Sequence, residues 1–160
     1  MPYREKDFRD VLVGDVYEEF VDRPSIVKAD AKIRDAIDQM LENPTSRKVY
    51  VVDAEGRYIG TVTTETVLRL LGYRVGIRET GGLTFFRFLR DTLKEEVGTI
   101  MIRTKTITKT ARLTDALSIM LEYHLNDLPV VDEENKVIGE LVSLELFLKG
   151  KKLFEETKTA

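Results

Sequence analysis

The chain contains no cysteine. That excludes a disulfide framework, a thiolate metal site and a cysteine nucleophile together. It has one histidine, His124, and no spacing supplies it with a catalytic partner, so it reads as a loop or surface residue. Amide side chains are scarce, one Gln and three Asn, against 25 Lys+Arg and 28 Asp+Glu. Replacing thermolabile amides by charge points toward a heat-loving source. The formal net charge of -3 argues against a dominant nucleic-acid surface. No apolar run approaches the roughly 18 residues of a membrane span. The opening MPYREKDFRD is charged and carries no apolar signal region, so a cytoplasmic location is expected. Gly-rich phosphate loops, metal-ligand clusters, matched acids and nucleophile–base pairs are also missing, which argues against an enzyme. Hydrophobic residues make up 42%, enough for one core or for two very small domains sharing one.

What the sequence does have is a repeat. VYVVDAEGRYIGTVTT (Val49 to Thr64) returns as LPVVDEENKVIGELVS (Leu128 to Ser143). Upstream, VGDV at Val13 returns as VGTI at Val97, and Ser25-Ile26-Val27-Lys28 resembles Thr106-Ile107-Thr108-Lys109. AKIRDAIDQMLE (Ala31 to Glu42) returns as ARLTDALSIMLE (Ala111 to Glu122). The offset drifts only from 84 (Val13 to Val97) to 79 (Asp53 to Asp132), so order and spacing agree.

Each copy reads as a short strand, a helix, two strands and a second helix, an α+β fold class. Ile33, Ala36, Ile37, Met40 and Leu41 share a helical face, repeated by Leu113, Ala116, Leu117, Met120 and Leu121, and both stripes are expected in the core. Thr114 or Arg112 would start the second of these helices. Asp53 to Gly56 and Asp132 to Asn135 are turns, with Gly56 and Asn135 able to take positive φ. The expected layout is repeat 1 over 13–72, a connector loop and helix over 73–96, repeat 2 over 97–150, and terminal extensions 1–12 and 151–160.

A β-α-β-β-α copy with a Val-Val-Asp strand, a turn, Ile-Gly and a Thr/Ser-bearing strand end resembles the CBS domain. Two in tandem resemble the CBS pair, or Bateman module, over roughly Val13 to Gly150. The resemblance implies two repeats forming one module, with small sheets packed in pseudo-two-fold fashion around two clefts. It implies adenosine ligands there (AMP, ADP, ATP or S-adenosylmethionine), no required cofactor, a homodimer, and a regulatory, non-catalytic role toward an unknown partner protein. With no larger segment attached, a stand-alone module is expected.

The family's ribose motif places Thr or Ser three residues after the Gly and Asp six after it, where a carboxylate can accept both ribose hydroxyls. Copy one has Gly60, Thr63 and Thr66, keeping the hydroxyl without the carboxylate. Copy two has Gly139, Val142 and Glu145, keeping the carboxylate, with its hydroxyl moved to Ser143 as at Thr64. The Glu145 cleft is the favoured one; the alternative makes Glu145 a solvated first-turn residue of the last helix. By the same resemblance the base would lie against Ser25, Ile26 and Val27, or Lys105, Thr106 and Ile107. Val51, or Pro129 and Val130, would form the other wall. The plain alternative makes Ile26 and Ile107 core. Pro129, lacking an amide donor, is expected at an edge or strand start. Arg47, with Lys48, would meet a phosphate, or is an ordinary charged loop; in copy two Asp127 would repel one.

GYRVGIRETGGLTFFRFLRDTLKEEVG, Gly72 to Gly98, belongs to neither copy. A loop is expected over Val75 to Gly82 and a helix over Thr84 to Glu95, with Phe85, Phe88, Leu89 and Leu93 on one side. That helix either caps the module or meets a partner. Arg69, Arg74, Arg78, Arg87 and Arg90 make the region locally basic, too short a run for nucleic acid. Residues 1–12 read as a short helix against the module, and Lys149 to Ala160 as a fraying helix or tail. Two functions fit: a sensor of an adenosine ligand, and a ligand-free dimerisation or adaptor module.

Overall fold

The computed structural model describes residues 8–17, 23–75 and 82–158. Most of the expected 75–82 loop, including Gly76, Arg78 and Gly81, lies outside the described residues, as do the first seven residues and the last two.

The first repeat folds as β1 (Ile26–Lys28), α1 (Ile33–Glu42), β2 (Lys48–Val52), β3 (Tyr58–Thr63) and α2 (Thr64–Val75). The inserted helix α3 follows, Gly82–Leu93, two residues earlier at each end than expected. The second repeat gives β4 (Ile107–Thr108), α4 (Leu113–Tyr123), β5 (Asp127–Val131), β6 (Val137–Val142) and α5 (Ser143–Lys158). Of the two readings of the C-terminal segment, helix or tail, residues 149–158 are helix, the continuation of α5, which runs for 16 residues. The strands form two sheets, β1-β2-β3 and β4-β5-β6. In each, the first pair is parallel and the second antiparallel, as an α-helical crossover followed by a hairpin requires.

The repeated Asp of the AxxxDA pattern starts the crossover helices. Asp35 accepts the Lys32 N–H at 3.0 Å and Asp115 accepts the Arg112 N–H at 3.2 Å. Each is the carboxylate half of a capping box, so Arg112, not Thr114, caps α4. The hairpin turns repeat as closely. Asp53 Oδ1 accepts the N–H groups of Glu55 and Arg57, both at 2.9 Å, and Asp132 Oδ1 those of Glu134 and Lys136 at the same distance. Gly56 and Asn135 take the positive φ expected, 84° and 66°.

The apolar stripes are narrower than expected. Ile33, Ala36 and Met40 are buried, as are Leu113, Ala116 and Met120. Leu41 and Leu121, however, are 72% and 68% exposed, and Leu117 is also exposed. Leu41 lies about 80° around the helix from Ile33, at the margin of the stripe a sheet can cover.

The chain forms two compact units, and they do not follow the order in which the repeats are written. One comprises 25–104; the other joins the residues up to Pro24 to those from Lys105 onward. The cause is an exchange of short 3₁₀ turns. Val13–Asp15, written ahead of repeat 1, bonds to repeat 2: Val13 N–H to Ala111 O at 2.9 Å and Gly14 N–H to Lys109 O at 2.8 Å. Val97–Thr99, written ahead of repeat 2, bonds to repeat 1: Val97 N–H to Ala31 O at 2.8 Å and Gly98 N–H to Ala29 O at 3.0 Å. Each unit has its own core. Val27, Ile33, Val49, Val51, Val62 and Val97 anchor the first. Val13, Ile107, Leu113, Leu128, Val130 and Leu141 anchor the second.

Candidate functional site

The candidate ribose positions occupy two strand-to-helix junctions, one in each unit. At β3–α2, Thr63 and Thr66 cap the helix reciprocally. Thr63 Oγ1 accepts the Thr66 N–H at 3.1 Å, Thr66 Oγ1 accepts the Thr63 N–H at 3.3 Å, and the two oxygens lie 3.0 Å apart. Hydroxyls at these positions satisfy amides that a helix start leaves orphaned. Both threonines remain half-buried and Thr64 is exposed.

At β6–α5 the cap has different chemistry. Val142 has no hydroxyl, and Glu145 Oε1 accepts its N–H at 2.8 Å. Glu145 is only 1% exposed. It is therefore not a solvated first-turn residue: its carboxylate folds back over the helix start, where the macrodipole favours negative charge. Ser143 donates its N–H to Asn126 O at 2.8 Å.

The leading strands are related by a different register from the one the sequence suggests. Val27 pairs with Val51, and Ile107 with Val130. Val27 therefore matches Ile107, and Ile26 matches Thr106. Val27, Val51, Ile107 and Val130 all face the cores of their units, whereas Ile26 is only half-buried. Ser25 is buried, takes the Tyr50 N–H on its carbonyl at 2.8 Å and donates its hydroxyl to Gln39 O at 3.5 Å. Lys105 lies over the Tyr123 ring, 4.7 Å from its centroid.

Pro129 is neither at an edge nor a strand start. It is the third residue of β5, the central strand. The equivalent Tyr50 N–H donates to Ser25 O in the first repeat; Pro129 has no N–H to give, and β4 begins one pair later, opposite Val130. On its other side it stands opposite Glu140, which is fully buried. The charge in IGELV was a visible signal for Glu140 that periodicity alone passes over.

The register spreads the copy-one candidates along the sheet. Val51 stands level with Gly60, while Lys48 stands level with Thr63. Val27 and Val51 are thus about 10 Å from the Thr63 end of the ladder, at roughly 3.3 Å per residue. Arg47, at φ 60°, immediately precedes Lys48 and is exposed. His124 is the left-handed C-cap of α4, exposed, at φ 54°.

Two polar groupings escaped the sequence reading. Tyr58 Oη accepts the Thr104 N–H at 2.9 Å and hydrogen-bonds the hydroxyls of Thr61 at 2.8 Å and Thr104 at 3.0 Å. Thr61 and Ile102 also exchange backbone bonds of 2.8 and 2.9 Å, tying 102–104 to β3. Arg74 on α2 forms a two-pronged ion pair with Glu95 and donates to Thr92 at 3.0 Å, clamping the end of α3. The hydrogen bond to Glu95 holds the Arg74 guanidinium above its ordinary range. Asp53 is held below the usual carboxylate value, foremost by the Arg57 N–H. Among the described residues, no cluster of His, Cys, Asp and Glu could hold a metal ion, and no helix is long and apolar enough to cross a membrane.

Comparison with known proteins matches this architecture. The CBS domain family matches residues 13–73 and 97–147. A CBS domain-containing protein from Thermotoga maritima superposes with TM-score 0.69 at 25% identity, over 89% of this chain and 95% of that one. CBSX2 in complex with AMP gives TM-score 0.67 at 22% identity, over 89% and 98%. The CBS domain pair of protein MJ0100, in complex with 5'-methylthioadenosine and S-adenosyl-L-methionine, gives 0.64 at 20% identity, again over 89% and 98%. With both repeats matched and the folds coincident, the chain belongs to the CBS domain family, as a tandem pair.

Proposed function

We propose that this chain is a non-catalytic regulatory module that senses an adenosine-containing ligand and conveys its occupancy to a partner protein. The observation that carries the reading is the match of both repeats to the CBS domain, alongside CBS-pair structures that hold AMP and S-adenosyl-L-methionine. A ligand shifts only a conformation it binds more tightly, so the readout belongs to whatever contacts the module.

The junction chemistry favours the copy-one site. Thr64 is exposed, Thr63 and Thr66 are half-buried rather than enclosed, and exposed Arg47 adjoins Lys48, which is level with Thr63 and suits a phosphate tail. Glu145, the favoured residue on sequence grounds, is buried and engaged with the Val142 amide. Ribose recognition at copy two would need that carboxylate to turn outward, leaving Ser143 as the ready hydroxyl. The base would lie along the backbone of Ser25, Ile26 and Val27, or of Lys105, Thr106 and Ile107.

A thermal-shift panel of AMP, ADP, ATP and S-adenosylmethionine tests this, with Thr63→Ala and Glu145→Gln alongside. A ligand at about 100 times its Kd adds roughly 2.7 kcal/mol. A shift lost in Thr63→Ala supports copy one, and one lost only in Glu145→Gln moves the site to copy two. Silence across the panel sinks the sensing role.

The second reading, a ligand-free dimerisation or adaptor module, rests on a separate observation. Leu41 and Leu121 are exposed at equivalent positions of the two repeats, and so are Leu68 and Phe147. In the first unit, α1 and α2 border an apolar groove of about 450 Å³ between Met40, Leu41, Leu68 and Leu71. An apolar face written twice fits self-association, and we infer a homodimer through it in either reading. Light scattering of the wild type and of the Leu41→Glu/Leu121→Glu variant should give a dimer and a monomer. A monomeric wild type at high concentration would remove the dimer.

A further inference from the structure

We infer that α3 forms part of a separate binding site for a free amphiphilic monoanion, an apolar body with one carboxylate or phosphate head. A groove of about 470 Å³ runs between α3 and the start of α1. Its floor is apolar: Phe86, Leu89 and Leu93. Its charged lining is entirely cationic: Lys32, Arg34, Arg90 and Lys94. The volume is within the roughly 300–1,000 Å³ of small-molecule sites, and an apolar floor with few convergent charges is their usual chemistry.

The rim is only half neutralised from within. Lys32 faces Glu96 at 3.9 Å and Arg90 faces Asp91 at 3.4 Å. Arg34 and Lys94 have no side-chain partner among the described residues. Two cations thus remain for an anionic head, while Phe86, 70% exposed, offers its ring to an apolar body. The groove's wall is fixed, because Arg74 pins Thr92 and Glu95 at the end of α3. None of the adenosine-site candidates lines it, so the two sites are independent.

The test is calorimetric titration of the full chain with sodium dodecanoate below its micellar concentration, with dodecyltrimethylammonium as the opposite-charge control. The expected result is saturable binding of dodecanoate that weakens with salt, and none of the cation. Arg34→Glu/Lys94→Glu should weaken dodecanoate by about tenfold or more, as loss of charge-assisted contacts implies. Phe86→Ala should weaken it too; all three side chains are exposed, so folding is preserved and circular dichroism confirms it. Absence of saturable binding, equal binding of the two amphiphiles, or affinity unchanged in the charge-reversed variant would each overturn the site. So would binding seen only to dodecanoate-doped vesicles.

Discussion

Tyr17 lies so close over Gly139 that a Cβ placed there would stand 2.3 Å from Cε2 of its ring. The equivalent Gly60 is crossed by Met101, whose Cβ would stand 2.8 Å from such an atom. The repeated Ile-Gly of the hairpins is thus a packing requirement: the segment after each 3₁₀ turn passes over the strand where only glycine leaves room.

Gly139→Ala and Gly60→Ala should each destabilise by about 1–3 kcal/mol, the range of overpacked cores, read from urea midpoints at constant m. The two differ in rescue. Tyr17→Ala removes the offending ring and should couple favourably with Gly139→Ala. Met101→Ala keeps the Cβ that meets residue 60, so it should not relieve Gly60→Ala. Rescue at both sites would contradict the geometry.

Glu145→Ala should cost about 1–2 kcal/mol by orphaning the Val142 amide, whereas Glu145→Gln, which keeps an acceptor oxygen, should cost less. Equal losses in thermal unfolding would place the importance of Glu145 in its charge rather than its cap.

The Arg74–Glu95 pair is about one-third exposed on both sides. Its coupling energy in a double-mutant cycle should be about 1 kcal/mol, the upper part of the surface range, because the contact is two-pronged. Raising the salt should reduce it only partly. A coupling of zero would leave α3 held by its apolar side alone.

Asp53 makes stability pH-dependent in a fixed direction. Its pKa is lowered on folding, chiefly by the Arg57 N–H. Its contribution is therefore complete above the unfolded carboxylate pKa and disappears as pH falls through the lower folded value. The stability gap between wild type and Asp53→Asn should be constant near neutrality and close in acid. A gap that widens in acid would reverse the assigned sign.

Much of the fold was legible because the same pattern occurs twice. The strand–helix–strand–strand–helix order, the Asp-anchored turns and the positive φ at Gly56 and Asn135 all follow from local chemistry. Three features did not follow. Pro129 sits in a central strand at the cost of the ladder bond that Tyr50 makes in the first repeat, so β4 is one pair shorter than β1. Leu41 and Leu121 carry core residue types yet stand outside, because stripe width depends on what covers it. The Val27–Ile107 equivalence is set by hydrogen-bond register, while the residue types favoured aligning Ile26 with Ile107. At the candidate site, the sequence located both junctions correctly along the chain. It could not reveal that Glu145 closes inward, since capping and ligand contact use the same carboxylate at the same spacing.

The traded 3₁₀ turns constrain how such a chain could have arisen and how it can be divided. A lone repeat with the turn written ahead of it would carry a turn that bonds to the other copy and not to its own. It would have been complete only beside a second chain that lent its turn in return. Fusion of two copies would turn that loan between molecules into an internal one. Severing the chain between Thr104 and Lys105 leaves residues 25–104 with their own closing turn, Val97–Thr99. Severing it at the repeat boundary before Val97 deprives both halves of their closing turn.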